Sequence, residues 1–340
     1  MWTSQPALSI DVTYVSAWRS RRQRGKLDRM RTSQFLVSTV LTALLTASST
    51  APVSGQATPP LDSARLLQDL SVLAHDSMAG RATGTPGSQR AQAFLLRSLE
   101  EVGLSPAYES ILRSFEWQRG SGENIVAIAP GRTESDDHVI VLTAHYDHLG
   151  IRDGEVFNGA DDNASGVAAL LEIGRQLAAA PLAHTTLIAF VDAEEAGLQG
   201  SRAFVADPPI PLDRIALNVN LDMVARTDGV LWAGGAYHTS VLRPILEKLA
   251  SEAPLTMRLG HDRPGAPEGD DWTDSSDHAP FHQVAIPYVY FGVEDHQDYH
   301  TATDDFERID PGEFTAAVRT ILMGLRALDA ALPFPESPAR

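Results

Sequence analysis

A mostly parallel α/β sheet sandwiched between helices is the fold class this sequence predicts, on three observations. Short runs rich in Val and Ile alternate with stretches of helical periodicity along most of the chain, as strand–helix–strand units do. Acidic and histidine residues stand at the ends of those apolar runs, where open α/β sheets gather their ligands. No internal repeat and no long low-complexity linker divides the sequence, so a single mixed sheet of about eight strands in one domain over 58–340 is expected.

The elements follow in order. Helical spacing in LLQDLSVLA and again in AQAFLLRSLEEVGL predicts two helices within 61–104, parted by AGRATGTPGS, where Gly80, Gly84, Pro86 and Gly87 break the pattern. NIVAIAP and HVIVLTAH read as strands, 164–180 as a helix and TTLIAFVDA as a strand. A short helix follows Gly197, and IALNVNLDMV and VLWAGG are strands. A helix over 240–251, the strand IPYVYFGV and a closing helix over 311–331 complete the set, with Tyr288, Tyr290 and Phe291 read as core. The irregular stretch 260–276 is long enough to be a lid or binding loop.

With 43% apolar residues in 340, the chain can bury a large core. Its net charge of −17 argues against a nucleic-acid surface, which needs clustered Lys and Arg. The basic residues are unevenly spread: 1–57 holds seven of the 27, against two of the 44 acidic ones. Met30 and Arg31, an apolar stretch over 35–45, and small residues at Gly55 and Ala57 give the layout of a signal peptide over 30–57. Segment 1–29 is then an extended basic lead or an unused upstream start. The apolar stretch is far shorter than the roughly 20 residues of a membrane span. The absence of cysteine excludes disulfides and a thiol-linked lipid. An exported monomer, periplasmic or secreted and without a membrane anchor, is expected.

The most informative stretch is VDAEEAGLQGS. It places Glu194 and Glu195 directly after a buried strand, which is costly unless a cation sits beside them. Residues that could complete a cation site stand at other strand ends: His145 and Asp147 after VIVLTA, Asp162 in GADDNASG, Asp222 in NVNLDMV, and His300 in DYHTATDD. Zinc takes imidazole nitrogen and carboxylate oxygen, and two ions a few ångströms apart need a carboxylate to bridge them. One ion could be held by His145 and Asp222, the other by Glu195 and His300, with Asp162 shared. Glu194 would remain free to accept a proton from water.

These motifs, with RATGTPGSQRAQAFLLRSLEEVGL, AHYDH, NLDMV and SDHAPF followed by IPYVYFG, resemble peptidase family M28, the co-catalytic dizinc aminopeptidases. The likeness runs over about 61–306. It implies an eight-stranded mixed sheet of the phosphorylase/hydrolase-like zinc exopeptidase type, the ligand set just given, and Glu194 as general base. It also implies Asp162 as the bridging carboxylate, with Asp161 the fallback, and Asp147 as the carboxylate that orients His145. Asp304 would help position the His300 loop. Asp162 could instead cap the following helix, a place that Asn163 or Ser165 could also take.

His148 and His296 are read as structural. Asp277 and His278 of SDHAPF divide evenly between a part at the substrate pocket and none. Asp270, Asp271, Asp274, Glu294, Asp295 and Asp298 read as a solvated acidic loop, with a calcium ion or a substrate ammonium as the functional alternative. The expected activity is release of N-terminal residues from peptides with a free amine. The competing readings are a carboxypeptidase of the same family, which would need an arginine cluster that Arg152, Arg202 and Arg226 do not evidently form, a single-zinc glutaminyl cyclase, and a non-catalytic receptor. Only about twenty residues separate Leu104 from Asn124, too few for an inserted domain ahead of the sheet, so open access to the site is expected.

Overall fold

Strands that are apolar on both faces need cover on both, and the computed structural model supplies it; it describes residues 59–133, 137–265, 267 and 270–334. The basic lead 1–29 and the expected signal peptide 30–57 lie outside the described residues. Helix α1 (Ser63–Leu73) starts where Asp62 accepts a hydrogen bond from the Arg65 N–H. Helix α2 (Pro86–Val102) starts at Thr85, with Pro86 in its first turn, and ends on Gly103 at φ 79°, a left-handed cap that glycine takes without strain.

The main sheet has nine strands: β1 (Ser105–Pro106), β2 (Leu112–Trp117), β3 (Gly120–Ala129), β4 (Val139–His145), β7 (Thr185–Val191), β8 (Ile215–Leu221), β9 (Val230–Gly234), β10 (Thr256–Leu259) and β11 (Tyr288–Gly292). Their order is β1-β3-β7-β4-β8-β11-β9-β10, with β2 also on β3. The central β7-β4-β8-β11 run is parallel, and β3 and β9 join it antiparallel. A separate hairpin pairs β5 (Gly150–Arg152) with β6 (Glu155–Phe157). The mixed, mostly parallel sheet matches the expectation. The strands the sequence does not reveal are β1, β2, β10 and the hairpin, which are short or present polar, exposed side chains and so lack an apolar signature. Two of them, β1 and β2, fill the interval between Leu104 and Asn124.

Alternation along the strands splits the core in two. Ile140, Leu142, Ile188 and Phe190 face a large cluster built with α1, α2, α3 (Gly166–Ala179), α5 (Leu242–Glu252) and α7 (Pro311–Ala330). Val139, Val141, Leu187 and Ala189 face Phe204 of α4 (Gln199–Ala206) and Phe281 of α6 (Ala279–Gln283), whose rings lie 5.5 Å apart. Each such fully buried aromatic contributes about 1.5–3 kcal/mol. Tyr288, Tyr290 and Phe291 are buried in β11, as expected. No described helix is long and apolar enough to cross a membrane.

Candidate metal centre

Strand β4 leads on to β7 at its one side, while β8, paired at its other side, leads on past β11 to β9, so the loops leaving β4 and β8 part at their carboxyl ends. His145 is the last residue of β4, Asp222 follows β8, and Glu194 and Glu195 lie in the turn after β7. Asp162 sits in the irregular turn before α3, and His300 in the loop after β11.

These side chains meet in two groups that share Asp162. His145 Nε2 lies 3.2 Å from Asp222 Oδ1 and 3.4 Å from Asp162 Oδ1. His300 Nε2 lies 3.0 Å from Asp162 Oδ2 and 3.3 Å from Glu195 Oε2. His148, which the sequence reads as structural, enters the second group, with Nδ1 2.8 Å from Glu195 Oε1 and 3.5 Å from Asp162 Oδ2. Only its position three residues after His145 could have marked it.

The donor set fits zinc. Ligand atoms of a tetrahedral ion at about 2.0–2.1 Å are roughly 3.3 Å apart, close to the spacings above. Glu195 Oε1 and both ring nitrogens of His148 are buried without a hydrogen-bond partner, so the 2.8 Å contact is not aligned as a hydrogen bond. A cation would complete them, and the held carboxylates and imidazoles are the ligands zinc takes.

The surroundings hold each group in place. Asp161, the fallback for the shared position, points away from both groups. Its Oδ1 accepts from the N–H groups of Ala225 and Arg226, and its Oδ2 lies 3.3 Å from His296. Asn163 Oδ1 accepts from the Gly166 and Met223 N–H groups, so Asn163 rather than Asp162 satisfies the start of α3. Asp304 accepts from the N–H groups of Asp161 and Asp162 and thereby ties the loop bearing His300 to that turn. The Asp147 carboxylate, expected to orient His145, lies 3.7 Å from its Nδ1 and accepts from the N–H groups of Glu194 and Glu195, while the atom nearer Nδ1 is the Asp147 main-chain oxygen, at 3.3 Å.

Sequence reasoning also missed a buried polar relay. Asn218 donates to Thr143, Thr143 to Asn220, Asn220 to Ser276, and Ser276 to Asp222 Oδ2 at 2.6 Å. The alternation of Asn218, Asn220 and Asp222 was its signal. Beneath the site, fully buried Arg81 donates to the main-chain oxygens of Leu73, Tyr146, Asn158 and Gly159. Asp277 is buried with neither oxygen hydrogen-bonded, while His278 lies within bonding distance of the Trp272 oxygen. The acidic loop residues do not converge: Asp298 pairs with Arg226, Asp270 and Glu294 with His261, and Asp271 accepts from Thr273. Among the described residues only His145–Asp162–Asp222 and His148–Asp162–Glu195 have mutual ligand spacing, with His300 beside the second group rather than in it, so the calcium alternative finds no such group in that loop.

So many carboxylates together titrate abnormally. Burial, reinforced by Asp147, pushes Asp192 up to about 7. Burial alone is the leading cause for Asp277, also about 7, and burial with Asp161 brings Asp304 to about 6. Hydrogen bonds to Asp162 and Glu195 raise His300 to about 10, and His145 is raised although its burial opposes this, because Asp222 and Glu194 outweigh it. All these folded values lie above the unfolded ones, so the folded chain keeps protons that the unfolded chain has lost. Their stability contribution, present at low pH, is lost as pH rises through about 6–7 for the carboxylates and higher for the histidines. Metal-free protein should therefore melt at a lower temperature at pH 8 than at pH 5, and zinc should raise the melting temperature more at pH 8. Thermal melts with and without zinc check this; an equal zinc effect at both pH values would contradict it.

Known proteins share this family and fold. The chain is 29% identical to Aminopeptidase YwaD of Bacillus subtilis (strain 168) over 215 residues, 61% of this chain and 44% of the relative. It spans about half the length of the curated relatives it matches. In fold it resembles BSAP, a zinc aminopeptidase from Bacillus subtilis, with a TM-score of 0.62 and 17% identity over 78% of this chain and 95% of that one. It resembles a Bacteroides thetaiotaomicron glutaminyl cyclase comparably, with a TM-score of 0.63 and 21% identity over 79% and 99%. A family model described as Peptidase family M28 matches residues 124–325, more than half of the sequence, and the chain belongs to that family.

Proposed function

We propose that this protein is a dizinc aminopeptidase that hydrolyses the N-terminal bond of peptides. The observation that carries the reading is the sharing of Asp162 between two ligand groups, with Glu194 adjacent in sequence to the ligand Glu195 and in neither group. Bound zinc would polarise the scissile carbonyl and make water more acidic. His145, Asp162 and Asp222 would hold one ion, and Glu195 and His300, with Asp162, the other. Glu194 accepts the proton of the attacking water and delivers it to the leaving amine. Burial raises its pKa well above the ordinary carboxylate value in the metal-free protein, with His145 opposing and Asp277 and Asp222 adding to the rise. The density of negative charge draws a substrate ammonium group.

The arginines argue against a carboxypeptidase. Arg202 donates to the Gly197 oxygen, Arg226 pairs with Asp298, and Arg152 lies over the Phe157 ring, so the three do not make one fork for a substrate carboxylate. The basic, apolar and small-residue layout of 30–57 supports export, and one chain supplies every candidate ligand, as a monomer requires. A panel of aminoacyl substrates, dipeptides with acidic C-termini and N-terminal glutaminyl peptides tests the activity on zinc-loaded and chelated protein. Aminoacyl hydrolysis that vanishes with chelation and returns with zinc is expected. Pyroglutamate formation with one zinc per chain would replace the reading with a cyclase.

A further inference from the structure

We propose that His148 is a protein ligand of the second cation, so that the two positions differ by construction: His148, Asp162, Glu195 and His300 would give one cation four protein ligands, whereas His145, Asp162 and Asp222 would give the other three. The inference rests on the two-ion reading above.

The His148 side chain is fully buried, while that of His300 is 39% exposed. Both rings approach the same pair of carboxylates, Asp162 and Glu195. The seat of His148 is built for its ring. Gly159, at φ 56°, packs so closely that a Cβ there would lie 2.5 Å from His148 Cγ and Cδ2, a space only glycine leaves. Arg81 fixes the flanking chain on both sides, donating to Tyr146 on the segment carrying His148 and to Asn158 and Gly159 on the segment leading to Asp162. Neither ring nitrogen has a hydrogen-bond partner. An imidazole buried that way is costly, and a cation against Nδ1 offsets the cost.

A position with four protein ligands is of the closed kind that holds zinc for structure, whereas three ligands leave room for water and substrate. The four-ligand ion is then the slowly exchanging one, and the ion at His145 the exchangeable one. The test is the zinc content and chelator-competed affinity of wild type, His148→Ala, His148→Gln and His300→Ala, each checked for folding by circular dichroism. Wild type should hold two zinc ions that leave in two separate steps. His148→Ala and His148→Gln should weaken the tighter one by more than about 100-fold, beyond the range of an outer hydrogen-bonding partner, and His300→Ala, which removes the partly exposed ligand, by less. In wild-type protein labelled with 15N-histidine, zinc should shift the His148 ring nitrogen strongly, a reading that does not depend on the variants folding.

Two tight ions in His148→Ala with one lost in His300→Ala would overturn the proposal and leave the two-ion reading intact. An unshifted His148 ring, or a His148→Gln variant that behaves as wild type, would do the same. Fewer than two ions in wild type would overturn both.

Discussion

Glu194→Gln is expected to bind zinc with wild-type stoichiometry and to lose about 100- to 10,000-fold in kcat, the share general acid–base catalysis typically supplies. The expectation follows from where the side chain stands. Its main-chain N–H is fixed by the Asp147 carboxylate at 3.1 Å, so the turn presents residue 194 to the site independently of any ion. Its carboxylate belongs to neither ligand group, and glutamine matches its shape while removing its capacity to take a proton. Glu195→Gln is the contrast: Glu195 meets both His148 and His300, so that change should reduce zinc binding itself. Zinc content and steady-state kinetics on both variants separate the roles. A Glu194→Gln enzyme with ordinary turnover, or one that has lost zinc, would show that the proton moves elsewhere.

The adjacency of the two glutamates is legible in the sequence because it is a local anomaly: charge placed directly after a buried strand needs a physical reason. The same logic exposes His145 and Asp222, each at the end of an apolar run, whereas Asp162, in the turn before α3, and His300, in the loop after β11, are marked by the set of motifs; the parallel order of β7, β4, β8 and β11 explains why distant stretches of sequence meet. What stays hidden is whatever depends on direction rather than position. His148 and His145 stand on one short segment, and nothing in their spacing says that both rings turn toward Asp162. Asp161 and Asp162 are neighbours of identical chemistry, and their opposite directions are set by hydrogen bonds from Ala225 and Arg226 and to Asp304, which lie far away in sequence. The short strands β1, β2 and β10 are invisible for a different reason: an edge strand that is half solvated needs no apolar alternation.

Arg81→Met should be the most destabilising single change near the site, by about 3–5 kcal/mol, the cost typical of breaking a buried charged network. At about 2–4 °C per kcal/mol for a domain of this general size, that is a fall in melting temperature of roughly 10 °C. Arg81 is wholly buried, and burial lowers its pKa to about 10, against the pull of Asp162, Asp147, Asp304 and Glu195, so it stays charged at neutral pH. It is thus the fold's own cation beneath a cluster of carboxylates, present before any metal arrives. Methionine fills similar volume but leaves the oxygens of Leu73, Tyr146, Asn158 and Gly159 without their donor and the carboxylates without their counter-charge. Lysine restores the charge but not the planar fork that reaches in several directions, so Arg81→Lys should recover only part of the loss. Because Tyr146 and Gly159 flank His148 and Asp162, both variants should also bind zinc more weakly than wild type, Arg81→Met more so than Arg81→Lys. Melts of the metal-free proteins followed by zinc titration measure the two effects separately. An Arg81→Met variant with wild-type stability would mean that the four carbonyl contacts carry no net weight, and unchanged zinc affinity would mean that the ligands hold their places without them.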